Sequence, residues 1–302
     1  MLTFHIAPWV LPILGSALLL GIYDVTKKQA VKENSVMPAL FWATFAGSVF
    51  FLAAMAFTGR FMSMLKTADV LLIPVLIKSL IVSFSWVCVY YAMRELPVSI
   101  AAPIRATSPL WVFAGGLIFY GEIPTVPQGC AMILIFAGYY LFSVFGKLEG
   151  ISFRRCKGIH LIFLGTLVGS ASALYDKYLL GVKQFPSDAV QFWFSVWLVV
   201  ILGAAYAVRR FCFPQKNALP FQWRLSIPLT GILLICADFL YFHALSCPDT
   251  PVSILSLVRR SNCIVAFTIG SIWFHEKNKG KKSIALAAVL IGVAILALAK
   301  SR

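Results

Sequence analysis

Runs of about twenty apolar residues follow one another so closely along this 302-residue chain that little is left between them. Ten can be counted, at about 8–26, 38–58, 70–93, 97–119, 126–145, 158–180, 189–208, 226–246, 251–274 and 282–299. A hydrocarbon layer of about 30 Å needs roughly 20 such residues in one helix. Inside that layer the backbone must satisfy its own hydrogen bonds, which a helix does within a single segment. A barrel strand would alternate apolar and polar side chains, and these runs do not. Hydrophobic residues make up 60% of the chain and charged residues 12%, against about 25% charge in a soluble domain. The expected class is an all-α polytopic membrane protein with ten transmembrane helices and no soluble domain. No basic residue precedes Pro8 and no Ala-x-Ala site follows the first run, so that run reads as a membrane span and not a cleaved signal.

The formal net charge of +15 lies mostly in the loops. Sixteen Lys and Arg, Lys27, Lys28 and Lys32 among them, fall after odd-numbered runs; five fall in even loops and the C-terminal tail. The positive-inside rule then puts the odd loops in the cytoplasm and both termini outside. The charge is a topology signal, not a nucleic-acid footprint. Seven cysteines form no C-x-x-C pair, and the four histidines, His5, His160, His243 and His275, show no metal spacing. Phosphate-loop, H-E-x-x-H and G-x-S-x-G motifs are absent. No cofactor, metal centre, enzyme activity or ATP-driven pumping is expected. Short loops without a targeting segment fit a bacterial inner membrane, with membrane lipid around a monomer or homodimer.

The chain carries one pattern twice. Shifted by 154 residues, Pro97-Val98-Ser99-Ile100 falls on Pro251-Val252-Ser253-Ile254, Arg105 on Arg259, Phe113 on Phe267, Gly116 on Gly270, Glu122 on Glu276 and Gly138 on Gly292. Upstream the shift is 152: Tyr23-Asp24 falls on Tyr175-Asp176, and Tyr90-Tyr91-Ala92 on Phe242-His243-Ala244. Residues 1–147 and 158–302 therefore read as two five-helix units joined by a polar, basic linker at 148–157. Five is odd, so the second unit starts from the opposite side of the membrane. Inverted repeats of this kind are typical of secondary transporters, with the substrate site near the midplane where the repeats meet.

Ten helices in two halves, with the apolar fourth and ninth runs (104–122 and 258–276) ending in Glu122 and Glu276, resemble the EamA-type members of the drug/metabolite transporter superfamily. Gln128-Gly129 and the Gly138 and Gly292 helices belong to the same resemblance. It implies a ten-helix transporter, with Glu122 and Glu276 as structural helix-end residues. The family is usually drawn with both termini in the cytoplasm, opposite to the loop charges here. Ile104-Arg105-Ala106-Thr107-Ser108-Pro109 and Val258-Arg259-Arg260-Ser261 also resemble the Ile-Lys-Ala-x-x-Pro and Val-Lys-Arg stretches of phosphate-sugar translocators. That likeness implies Arg105, Arg259 and Arg260 as anion ligands. Arginine for lysine exchanges a point charge for a planar fork.

The residues alone point the same way. A charge at the bilayer centre costs about 2.5–3.5 kcal/mol on insertion scales. Charges within the runs are Lys78, Arg105, Lys177, Arg259, Arg260, Asp24, Asp176 and Asp238. Lys78 has the length to snorkel, and Asp24, Asp176 and Lys177 lie near helix ends. The deep set is then three arginines against Asp238, which an anion would complete; arginine binds phosphate bidentately. The competing reading is a buried network of Asp238 with the arginines that fixes helix packing. It accounts for one arginine better than for three. Arg260 lies about 100° around the helix from Arg259, so the two face different ways.

One helical turn brings Ser108 to the face of Arg105, and Ser256 and Asn262 to that of Arg259. Trp86, Tyr90 and Tyr241 either line a cavity or pack in the helix bundle. Asp238 and His243 are candidates for proton coupling, and the repeat-related Asp24 and Asp176 for gating. Pro109 offers a mid-span kink. The function expected is secondary transport, by alternating access, of a small anionic and phosphate-bearing organic solute. The alternatives are an EamA-type exporter of amino acids or metabolites, and a flippase for an anionic lipid or lipid-linked sugar.

Overall fold

The computed structural model describes residues 7–96, 101, 104–105, 107–121, 125–146, 156–212, 219–248, 250–273 and six single positions between 284 and 295. Pro97-Val98-Ser99-Ile100, Glu122, Glu276, His275, most of the linker and most of the tenth run lie outside the described residues. Among the described residues all regular structure is helical. The helices are α1 (Val10–Val31), α2 (Val36–Phe57), the short α3 (Phe61–Leu65), α4 (Ala68–Glu95), α5 (Ser108–Tyr120) and α6 (Val126–Gly146). They continue with α7 (Lys157–Lys177), which runs into a π-helical turn at Tyr178–Val182, then α8 (Ser187–Phe211), α9 (Ser226–Ser246), α10 (Val252–Arg260) and α11 (Asn262–Trp273). Six of them, α1, α2, α4, α7 with its π turn, α8 and α9, are long and apolar enough to cross a membrane. The polytopic all-α expectation holds.

The fourth and ninth runs are interrupted, and at matched positions. Thr107 donates its backbone N–H to the Ile104 carbonyl at 3.1 Å, a tight i to i+3 turn, and its hydroxyl donates to the same oxygen at 2.7 Å. Ser261, which the 154-residue shift places on Thr107, does the same to Val258: 3.0 Å from the N–H and 2.7 Å from the hydroxyl. Short hydroxyl side chains compete for backbone carbonyls in this way and bend helices. In the fourth run Pro109 adds a second cause, because it removes the N–H that would reach the Arg105 carbonyl. Each break therefore sits within two residues of a deep arginine.

Helix pairing follows the same exchange of halves. α1 packs on α9 and α7 on α4; α2 packs on α9 and α8 on α4; α1 packs on α11 and α7 on α5. Every one of these contacts joins residues 1–147 to residues 158–273. Leu11, Leu18, Ile73, Phe84 and Ile118 remain exposed, as a wall facing lipid tails requires. Apolar burial adds little to helix association in such a solvent, so close backbone packing carries more of it. Gly47 and Gly231 are the clearest case. A Cβ on Gly231 would overlap the Ala43 carbonyl, and one on Gly47 would overlap the Gly231 carbonyl. Glycine at both positions lets α2 and α9 touch backbone to backbone.

Two charges fall elsewhere than the sequence suggested. α1 continues to Val31, five residues beyond the expected end, so Lys27 is a helix residue and 1% exposed. It does not belong to the loop after the first run. Lys78 is 2% exposed and does not snorkel to the interface. Both ammonium groups turn inward because carboxylates await them there.

Candidate substrate cavity

A cavity of about 160 Å³ lies where α1, α4, α7 and α9 meet the interrupted fourth and ninth runs. Arg105, Arg259 and Arg260 all line it, as do Ser108, Trp86, Tyr90, Tyr241, Asp176 and Asp238 from the expected site. Lys27 and Lys78 line it too. Sequence reasoning set both aside, the first as a loop charge and the second as a snorkelling one. Asp24 lies three residues from Lys27 on α1, and that spacing was the available signal for a buried pair.

The charges form two groups. In the first, Asp24 is held from three sides. Lys27 Nζ donates to its Oδ1 at 2.6 Å and Arg105 Nη1 to the same oxygen at 3.1 Å. Asn262 Nδ2 donates to Oδ2 at 2.7 Å. The Lys27 ammonium also sits 4.3 Å from the ring centre of Tyr23 and 5.9 Å from that of Tyr90. The two tyrosine hydroxyls lie 3.3 Å apart. Aromatic faces attract a desolvated cation, so the lysine has a carboxylate at its tip and rings along its flank. Asn262 is buried and reaches the site through Asp24, with no place in the cavity wall itself.

In the second group Lys78 pairs with Asp176, and Arg259 with Asp238. The Lys78 ammonium lies 4.3 Å from the Phe194 ring centre and 4.7 Å from that of Phe242. The Arg259 guanidinium stacks 4.1 Å from the centre of Tyr241. Its Nε is buried without a hydrogen-bond partner among the described residues. Asp176 is 4% and Asp238 7% exposed, so neither reaches interfacial water as a helix-end residue would.

Arg260 lies between the groups. Its Nη2 donates to Ser108 Oγ at 3.3 Å, reaching from α10 to α5. Ser108 in turn shares a 2.8 Å hydrogen bond with Ser170 of α7. The 100° offset of adjacent helix residues thus sends Arg259 toward α9 and Arg260 toward α5, yet both stay in the cavity wall. Trp86 is half-buried and meets Phe194 edge to face, with centroids 6.3 Å apart. Ser256 also lines the cavity.

His243 lies elsewhere. It is exposed and lines a separate cavity of about 870 Å³ together with Lys177, Arg60, Asp188 and Cys247. Lys177 donates to the Thr250 carbonyl at 2.5 Å on that side of the molecule. Neither His243 nor Lys177 joins the central group.

Five cationic side chains (Lys27, Lys78, Arg105, Arg259 and Arg260) therefore converge on one small cavity, with Asp24, Asp176 and Asp238 as their carboxylates. Desolvated ion pairs of this kind contribute little net stability. What they supply is a set of oriented donors that an entering anion can share.

Residues 7–144 match the EamA-like transporter family. An uncharacterized transporter of Archaeoglobus fulgidus is 28% identical over 294 residues, covering 96% of this chain and 98% of that one. A crystal structure superposes with a TM-score of 0.74 at 15% identity, over 95% of each chain, a likeness of fold alone. Over residues 7–144 this membrane protein is therefore similar to the EamA-like transporter family.

Proposed function

We propose that this protein is a secondary transporter for a small anionic organic solute carrying a phosphate or phosphonate. The observation that supports the reading best is the set of five cations around one cavity. Arg105, Arg259 and Arg260 present guanidinium forks suited to the oxygens of such a group. Lys27 and Lys78 add point charge, and the Tyr23, Tyr90 and Tyr241 hydroxyls lie nearby. The same arginines carry the likeness to phosphate-sugar translocators. Asp24, Asp176 and Asp238 hold these cations through ion pairs. Binding of solute would release arginine donors from them, and their return would expel it.

Movement would follow the two interruptions. Tight turns at Thr107 and Ser261 are natural hinges, and each lies beside an arginine that touches solute. Solute binding and helix bending are then linked without a further relay. Residues 1–147 and 158–302 would act as inverted halves that rock about the cavity.

A thermal-shift series on the purified protein tests the ligand class. Phosphates and phosphonates should raise the melting temperature more than monocarboxylates of equal size, and amines should leave it unchanged. A ligand at 100 times its Kd stabilises by about 2.7 kcal/mol if it binds only the native state. Stabilisation by amines in preference to anions would sink the proposal. A preference for amino acids would instead favour the exporter reading.

A further inference from the structure

The two charge groups in the cavity are counterparts. Asp24 and Asp176 are 152 residues apart and occupy matching places in α1 and α7. Each holds a lysine ammonium, and each ammonium lies against one of the matched rings of Tyr90 and Phe242. Arg105 and Arg259, matched by the 154-residue shift, complete one group each. The lysines themselves are not matched. Lys27 corresponds to Leu179 and Lys78 to Thr230. The chain thus builds a cation at both poles from residues that the repeat does not copy. Residues of both poles line the same cavity, Lys27 and Arg105 from one, Lys78 and Arg259 from the other.

Between them the wall is polar and close. Arg260 bonds to Ser108, the neighbour of the first pole, and lines the cavity with Lys27 of one pole and Tyr241 of the other. The volume of about 160 Å³ is near that of a cavity that holds benzene, which suits a ligand of roughly six to ten non-hydrogen atoms. A solute with one charged end would turn an apolar or neutral end toward the other pole. That pole's ions would then be desolvated without any new partner.

Resting on the anion reading above, we propose that the solute is anionic at both ends. It is a short phosphorylated or phosphono carboxylic acid, with one end on the Arg105–Lys27 pole and the other on the Arg259–Lys78 pole. A cavity of about 160 Å³ favours such a solute over lipid-linked and nucleotide-linked ones.

The test is calorimetric titration of the full-length purified protein with phosphonoacetate, ethylphosphonate and hydroxyethylphosphonate, at a pH where all are fully ionised. The last two keep the phosphonate and replace the carboxylate by a methyl or a hydroxymethyl. Phosphonoacetate should bind at least about tenfold more tightly than either, the gain expected of added charge-assisted hydrogen bonds. The double variants Arg105→Gln with Asp24→Asn, and Arg259→Gln with Asp238→Asn, remove one pole's arginine with its carboxylate. Each should bind all three phosphonates with similar affinity. If the wild-type protein binds the three phosphonates with less than that preference, the two-ended solute is overturned while the anion reading stands. If neither they nor inorganic phosphate bind at all, the anion reading itself falls. The wild-type comparison decides even where a variant fails to fold.

Discussion

A lysine nine residues into an apolar run can keep its charge in two ways: it can reach back to the interface, or it can find a carboxylate inside. Lys78 takes the second course, with Asp176 at its tip and Phe194 and Phe242 against its flank. Nothing in its own run reveals this, because the partners come from α7, α8 and α9. Arg105 and Arg259 were legible for the opposite reason. Their depth and their match under the repeat shift mark them without reference to any neighbour. Lys27 was hidden by its place among Lys28, Gln29 and Lys32, a stretch that reads as loop although the helix runs through it. The buried Lys78–Asp176 pair carries a stability prediction. Lys78→Met strands a carboxylate and should cost about 3–5 kcal/mol. Adding Asp176→Asn should restore most of that loss. Melting temperatures of the wild type, both single variants and the double variant measure it, and a double variant as unstable as Lys78→Met would show that the two charges are not coupled.

Among the elements, the two interrupted runs are the most informative. The sequence suggested a kink at Pro109, and the turn at Thr107 lies two residues before it. The ninth run has Cys263 where the shift would place Pro109's counterpart, and its break at Ser261 was not foreseen. Only the matching of Thr107 with Ser261 under the repeat would have suggested that one hydroxyl does in both runs what proline assists in one. Close helix contact is equally local. Gly231 has no room for a methyl group against the Ala43 carbonyl, so Gly231→Ala must force α2 and α9 apart. The cost should be about 1–3 kcal/mol, read as a lower melting temperature of the detergent-solubilised protein. Gly129→Ala is the control. A Cβ there meets open space, and alanine improves helix propensity, so its melting temperature should hold or rise. Equal losses at both positions would contradict the packing account.

For the whole molecule, the polytopic helical class followed from run length and composition, because a bilayer leaves the backbone so few choices. The internal match singled out Arg105 and Arg259, and both line one cavity. What sequence could not supply was the pairing of charges. Which cation holds which carboxylate depends on helix contacts such as α4 with α7 and α9 with α10. His243, attractive as a titrating group, proved to lie in the other cavity. The central claim is that Arg105 and Arg259 grip an anionic solute as it crosses the membrane. Counterflow in proteoliposomes tests this most directly, using whichever radiolabelled phosphate or phosphonate stabilises the protein most. The wild type should exchange the label rapidly, and Arg105→Gln or Arg259→Gln should slow exchange by at least about tenfold, the loss of one charge-assisted grip. Folded variants that exchange the label at the wild-type rate would contradict the account.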